Sequence, residues 1–518
     1  MNTHKRQLAL RRVRDTAAHA SAVARASVIR AASLAPEATR PHPACVPGEG
    51  RSCEHPLVDR DVNAALYRYE QTIQGRFGAI EEVLRALSAR QHDQDFARQA
   101  QAVSEQRLGF RWPDEALDNA WVSGVDMAGL YAYGTFKAIG RCIEGVDADQ
   151  APWRTRLPVQ PDVLRACGYH TVDISPCADG RLQGLLPFIL RTAASEGVLL
   201  KAYAGALFDI ENDVADWSQR QLERIVAGED GQLNHLKVAV YHFSSSSACD
   251  QGCAAHGSQD AVAMAEAIGR LQGLHQAVAE QFGPDLAPDL MLMGLDTDLD
   301  AIRIHLPDVR GRIHTDRFLD SASLYRETVG MEAERAMDHI RRAVAGHVHD
   351  LGGLGARGGA HGMQALAGAW LVANLSQIEY VIEHHAGRYA VIGHDEHFIC
   401  AGDMLEQLQL RNQFYYAHLD TVEEGAADLD VGVRIFTALN MRRGLPLPVL
   451  VHFTYASAVP GSRERAVQRG RRVAAAVQAR YPDLHRRGLL HCEVAVSDRR
   501  GRERPSFVGL GDQLHPTH

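Results

Sequence analysis

Aromatic residues make up only 6% of the 518-residue chain, and its nine cysteines are odd in number. They are sparse and irregularly spaced, which excludes a disulfide scaffold, and a chain of this length needs none to bury a core. Such usage points to a reducing compartment, with any special cysteines serving metal or catalysis. No run of about 18 uninterrupted apolar residues occurs, which argues against a spanning helix and a membrane role. The N-terminus carries Arg and Lys but no compact apolar run before a small-residue cleavage site, so no secretory signal is read there. Excess positive charge is lacking as well. The 55 Lys and Arg against 64 Asp and Glu leave a net charge of −9, with a pI near 6.3. That argues against nucleic acid as a partner bound through the whole surface.

What remains is ordinary globular composition, 46% hydrophobic and 23% charged, with length for about three domains. The first 40 residues stand apart. Eight cationic residues (Lys5, Arg6, Arg11, Arg12, Arg14, Arg25, Arg30, Arg40) against Asp15 and Glu37 give +6, so residues 41–518 sum to −15. With few apolar residues, this segment reads as a disordered or nascent-helical basic arm suited to an acidic partner. An organelle presequence has a similar composition. A Pro- and Gly-rich linker follows, so residues 1–57 are assigned as tail and linker.

Residues 58–150 read as a helical domain, with apolar residues at three- and four-residue spacing. Residues 151–388 read as an α/β domain. TVDIS (171–175) and LKVAVYHF (236–243) are buried-strand patterns. LQGLLPFILRTAASEG (182–197), VADWSQRQLERIVAG (214–228) and QDAVAMAEAIGRLQGLHQAVAEQFG (259–283) are expected to be helical. Strands alternating with helices predict a mainly parallel sheet, whose ligands sit beyond the strands' carboxyl ends. Residues 389–518 repeat the arrangement. RYAVIGHDEHF (388–398) is set against HTVDISPCADG (170–180), and LPVLVHFTYASAVPGS (447–462) against LKVAVYHFSSSSACDQG (236–252). That alignment pairs His452 with His242, Ile392 with Ile174, Asp395 with Cys177 and Arg463 with Cys253. The last domain therefore reads as a degenerate copy without a soft-metal site.

The chemistry concentrates in Cys177-Ala178-Asp179-Gly180-Arg181, His242 and Cys253, each following a predicted strand. Two thiolates and an imidazole are good zinc ligands, and three protein ligands leave a fourth position for water, the catalytic pattern. Zinc lowers the pKa of that water to about 7 and yields a hydroxide nucleophile. Asp179 can accept a hydrogen bond from the hydroxide, and Arg181 can hold Asp179 ionised. Taken singly, each of these residues is more simply a packed cysteine or core histidine. Jointly they are much harder to assign to accident. Cys249 and Cys253 also form a C-x3-C pair, which leaves a structural zinc pair open.

The motifs SPCADGRLQGLLP (175–187) and YHFSSSSACDQGCAAHGS (241–258) resemble the two signatures of the carboxysome shell carbonic anhydrases, the carboxysomal branch of the β-type enzymes, also called the ε class. General β-type enzymes share only the Cys-x-Asp-x-Arg element. The spacing of His242 and Cys253 is that of the carboxysomal branch, and the resemblance covers essentially the whole chain. It implies an α/β fold: an N-terminal helical domain, then two tandem β-carbonic-anhydrase-like domains, the second degenerate. It implies Cys177, His242 and Cys253 as ligands of one zinc per chain, and Asp179 with Arg181 as the catalytic dyad. Cys249 has no ligand role in that pattern. The implied activity interconverts CO2 and bicarbonate in the carboxysome lumen, at the inner shell face, within a bacterial cytoplasm. The implied partners are Rubisco, through the basic tail, shell proteins, and a second copy in a homodimer or higher oligomer. By the same resemblance the fused copy stands in for the neighbouring subunit, and His394 and His397 become candidates for proton transfer.

Rival readings are weaker. Gly353-Leu354-Gly355-Ala356-Arg357-Gly358 fits G-x-G-x-x-G, but the sequence before it reads as helix, where a dinucleotide site needs a strand. A second metal site from His347, His349, His361, His384 and His385 is less economical than surface and capping roles. A zinc deaminase needs H-x-E followed by P-C-x-x-C; Pro176-Cys177 is present, but C-x-x-C is absent and no H-x-E precedes it. A non-catalytic structural-zinc scaffold of the carboxysome would need a closed fourth position, with Cys249 as ligand.

Overall fold

The computed structural model describes residues 54–118, 120–144, 155–195, 197–226, 234–246, 252–356, 360–389, 395–405, 410–419, 421–422, 425–499 and 505–509. The basic arm, Cys249, Ile392, His394 and the Arg357-Gly358 end of the glycine-rich loop lie outside the described residues. Two compact units are built from interleaved segments. One takes the chain up to Asn63, Leu157–Cys177 and Leu186–Gly393; the other takes Ala64–Arg156, Ala178–Leu185 and His394–His518.

Within residues 58–150 the helical reading holds where the structure describes them. Helix α1 (Arg60–Ser88) has Asp61 in its first turn and Arg85 in its last, matching the helix dipole. Leu66, Ile73, Phe77, Ile80, Leu84 and Leu87 form its buried stripe at three- and four-residue spacing. Helices α2 (Phe96–Arg107) and α3 (Met127–Glu144) follow. Leu130, Tyr131, Ala132, Phe136, Ala138, Ile139 and Cys142 of α3 are all buried.

The first sheet has six strands in the order β2-β1-β3-β4-β5-β6: β1 Thr171–Pro176, β2 Val198–Leu200, β3 His235–Phe243, β4 Asp289–Asp296, β5 Ile302–His305 and β6 Leu319–Asp320. Pairings β1–β2, β1–β3 and β3–β4 are parallel; β4–β5 and β5–β6 are antiparallel. Every residue of β1, β3 and β4 is buried, as parallel strands covered on both faces should be. Helices α4 (Ile210–Val226) and α5 (Asp260–Phe282) make the parallel crossovers. Leu271, Leu274 and Val278 of α5 pack with Tyr241, Phe243 and Leu292. Helices α6 (Ser321–Thr328), α7 (Ala333–Asp350) and α8 (Ala360–His384) complete this unit. Within α8, His361–His384 is long and apolar enough to cross a membrane by length and composition, but 72% of its apolar window is buried inside the protein. It is a core helix, with Met363, Leu366, Trp370, Leu371 and Ile378 fully enclosed.

Residues 182–197 depart from the expected helix. Only Leu185–Ile189 makes a single wide helical turn. Pro187 removes an amide donor there, and the backbone then forms a bridge between Thr192 and Val159. Arg191 is drawn into the interior instead, donating to Asn63 Oδ1 at 2.7 Å and Gln377 Oε1 at 2.9 Å.

The second sheet has the order β11-β10-β9-β7-β8: β7 Phe398–Gly402, β8 Phe414–Ala417, β9 Leu447–Tyr455, β10 Leu490–Asp498 and β11 Ser506–Phe507. Helix α9 (Ala426–Leu439) leads to β9, and α10 (Ser462–Arg480) connects β9 to β10. Pairings β7–β8, β7–β9 and β9–β10 are parallel, and β10–β11 is antiparallel. Strand for strand this repeats β2-β1-β3-β4-β5, so the duplication is real.

Its register corrects the sequence alignment. In the first sheet Pro176 pairs with Val240; in the second Cys400 pairs with Leu450 and Gly402 with His452. With His452 matched to His242, the counterpart of Cys177 is therefore Ala401, not Asp395, and that of Asp179 is Asp403. The counterpart of Arg181 is Leu405. Arg463 is no partner of Cys253 either. The β3–α5 connection spans 244–259, whereas β9–α10 spans only 456–461, so the second copy lacks the loop that carries Cys253.

Candidate metal centre

Parallel strands β1 and β3 end side by side, and this adjacency assembles the site. Cys177 follows β1 directly, its N–H donating to Val240 O of β3 at 3.2 Å. His242 is the penultimate residue of β3. Cys253 is fixed beyond it by a turn in which His256 N and Ser258 N donate to its carbonyl at 3.0 and 2.9 Å. All three side chains are buried, His242 at 1% exposure. Their ligand atoms lie within 4.8 Å of one another, and the two Sγ atoms are 3.8 Å apart. Among the described residues this is the one group of three metal-ligating side chains that converges so. The remaining histidines expected to be structural do not form a second such group. The glycine-rich loop follows helix α7 rather than a strand, as the dinucleotide reading required to be excluded.

The donor set fits a soft, tetrahedral cation. Burying two thiols against each other is poor chemistry without one. The Cys177 thiol is pushed well above its ordinary value, first by its hydrogen bond with Cys253 and then by burial. A divalent cation reverses this, because a coordinated thiol is deprotonated outright. Gly205 adds an N–H donor to Cys177 Sγ at 3.3 Å.

Asp179 and Arg181 lie in the segment Ala178–Leu185, whose contacts belong to the second unit. Asn412 N donates to Gly180 O at 3.1 Å and Tyr416 N to Ala178 O at 3.3 Å, fixing the segment beside β8. Arg181 grips Asp179 as a fork: Nε to Oδ1 at 2.9 Å, the second guanidinium nitrogen to Oδ2 at 2.8 Å, and its backbone N–H to Oδ1 at 2.9 Å. Both side chains are buried, where bidentate charge-assisted bonds hold geometry best. Gly180 between them is required by packing, since a Cβ there would stand 2.5 Å from Glu396 Cγ. Sequence reading missed Glu396, and only its approach to Gly180 reveals it.

His397 is buried in the second unit, stacked on Phe77 at 5.1 Å between ring centroids. Its Nδ1 lies 3.0 Å from Tyr131 Oη and its Nε2 3.7 Å from Asp395. Burial lowers its pKa. Among the described residues, the degenerate copy has no comparable metal set. His452 has Nδ1 at 2.8 Å from Asp403 O and Nε2 at 2.8 Å from Ser497 Oγ, so both ring nitrogens are engaged. Asp403 is held by Thr454 N and Oγ1 at 2.8 and 2.7 Å rather than by an arginine.

Comparison with known proteins agrees with this construction. Three family profiles match in succession: Carboxysome Shell Carbonic Anhydrase, N-terminal, over residues 55–146; the catalytic domain over 160–394; and the C-terminal over 395–511. The carboxysome shell carbonic anhydrase of Halothiobacillus neapolitanus is 40% identical over 462 residues, 88% of this chain and 90% of the relative. That of Prochlorococcus marinus is 40% identical over 472 residues, 90% of each chain. That of Hydrogenovibrio crunogenus is 35% identical over 455 residues, 86% of this chain and 84% of the relative. A chain matched by all three profiles in order, with the duplicated sheet and a buried cysteine–histidine–cysteine set, belongs to the carboxysome shell carbonic anhydrase family and is an enzyme of the carbonic anhydrase class.

Proposed function

We propose that Cys177, His242 and Cys253 hold one zinc ion per chain, and that the chain runs CO2 + H2O to bicarbonate and a proton in either direction at that site. The observation that carries this reading is the buried convergence of two thiols and one imidazole within 4.8 Å. When bound, zinc acidifies a water molecule to a pKa of about 7 and so supplies the hydroxide that CO2 hydration consumes. Three protein ligands leave the fourth tetrahedral position open.

Asp179 stands two residues beyond Cys177 in the chain. With both carboxylate oxygens facing the Arg181 fork, it stays an acceptor. It can take a hydrogen bond from an O–H but cannot give one, so it orients the nucleophile's lone pair toward CO2 and disfavours a neutral water. Arg181 touches no reacting atom and fixes that carboxylate. His397 is proposed to move the proton outward, supported by its hydrogen bond to Tyr131 and the nearby Asp395; buffer can take the same role.

The domain assignment that goes with this reading is a tail and linker (1–57), a helical domain (58–150), the zinc domain (151–388) and a degenerate copy (389–518). We extend to this chain the carboxysome shell association in its relatives' names, with the chain working at the inner shell face and supplying CO2 to Rubisco. The +6 arm facing a −15 remainder supports its use as the Rubisco-docking segment. A homodimer or higher oligomer completes the proposal. The test is stopped-flow CO2 hydration on reduced protein of measured zinc content. Fast, chelator-sensitive hydration with about one zinc per chain supports the reading. Zinc without hydration, or hydration unaffected by zinc removal, refutes it.

A further inference from the structure

We infer that His256 is a positioning residue of the metal centre, acting through Gly205 on the Cys177 sulfur. The inference rests on the zinc reading above. Gly205 sits in the turn after β2 with φ of +68°, a left-handed conformation that glycine adopts without a Cβ penalty. Its two flanking peptide groups face opposite tasks. The N–H donates to Cys177 Sγ at 3.3 Å, and the C=O lies 3.0 Å from His256 Nε2. A carbonyl only accepts, so Nε2 of His256 carries the hydrogen. His256 is buried, and its other ring nitrogen lies 3.8 Å from Glu266 Oε2. The backbone N–H of the same residue donates to Cys253 O at 3.0 Å. One residue thus closes the turn that presents the second thiol and, through its side chain, braces the glycine that binds the first.

The two bonds to Gly205 belong to different peptide groups, so His256 does not strengthen the N–H donor by polarising it. It fixes the orientation of a residue with no side chain of its own to lock it. A freed Gly205 would rotate, and its N–H would leave the sulfur. An N–H···S bond withdraws charge from a thiolate and fixes its direction, as outer-shell donors do for metal ligands generally. The fit is tight: a Cβ at position 205 would stand 2.4 Å from His256 Nε2.

The experiment uses the full-length chain with zinc and, as a spectroscopic probe, Co2+. His256→Ala is expected to weaken zinc binding by about 10–100-fold in a chelator competition. It is also expected to move the thiolate-to-cobalt charge-transfer band to lower energy, because the sulfur lone pairs rise when their donor is lost. His256→Gln, which keeps an N–H donor, should restore most of both. If His256→Ala loses the parent's far-UV dichroism, His256→Met, which keeps bulk without a donor, decides by the same two readouts. Unchanged affinity and an unchanged band in a folded donor-less variant overturn the inference and leave the zinc reading standing. A parent chain that takes up neither Zn2+ nor Co2+ overturns the zinc reading and the inference together.

Discussion

Residue by residue, the proposed roles divide between holding a metal and using it. Cys253→Ala removes one of the three side chains that converge among the described residues, so zinc should be lost and CO2 hydration with it; metal analysis after dialysis and stopped-flow rates check both. Asp179→Asn keeps the volume and the ligands but puts a donor where an acceptor is needed. Zinc content should stay at the parental level while turnover falls by roughly a hundredfold or more. Arg181→Lys keeps the charge but not the fork that engages both Oδ1 and Oδ2, and should show a milder loss in turnover with zinc unchanged. A fall in zinc content in either dyad variant would mean that these residues build the metal site rather than serve it.

Among the elements, β1, β3 and α4 are tied by a buried ionic network. Lys237 Nζ reaches Asp173 and Ser175 at 2.9 Å and also pairs with Asp213. Lys201 reaches Asp213 at 2.9 Å and Asp216 at 2.7 Å. Lys237 is fully buried and also lies over the Phe208 ring at 4.3 Å. Lys237→Met would leave two buried carboxylates short of a cation, a loss of about 3–5 kcal/mol, read as a lower denaturant midpoint. The second sheet offers a complementary test. Restoring one thiol with Ala401→Cys should not create a second zinc site, because His452 is held at both ring nitrogens and the loop bearing a second cysteine is missing. Metal analysis should still give about one zinc per chain.

For the molecule as a whole, buried histidines set the acid limit of stability. Burial lowers His235 and His305 to about 4, below the unfolded value near 6.5. Between those values the unfolded chain binds protons that the folded chain refuses, so these two groups remove stability as pH falls from about 6.5 to about 4. Asp296 opposes them. Burial raises it to about 6, so it favours the fold at low pH and loses that contribution as pH rises toward 6. The histidines outnumber it, so these groups together make stability fall with acidification between pH 6 and 4. Denaturant midpoints measured across that range should decline toward the acid side. At the same scale, deleting residues 1–40 should spare CO2 hydration and weaken binding to Rubisco, with the difference shrinking as salt rises. Equal binding by the shortened chain would remove the arm from the proposal.

The sequence by itself determined the candidate donor set and the order of the parts. Cys177, Asp179, Arg181, His242 and Cys253 were legible because thiol, imidazole and carboxylate side chains able to serve a soft metal follow two predicted strands. Helix α1 and strands β3 and β9 were legible because apolar periodicity reports a buried face directly. The tertiary structure alone decided pairings between strands distant in the chain, since those are settled by hydrogen-bond register and not by local similarity. Register moved the counterpart of Cys177 from Asp395 to Ala401 and showed that Asp403, not a cysteine, is what the second copy retains. It turned 182–197 from a helix into an irregular segment, where Pro187 and the buried Arg191 outweigh apolar spacing. It also brought Gly205 and His256 to the metal site, through backbone groups that every residue carries and that no sequence pattern can therefore distinguish.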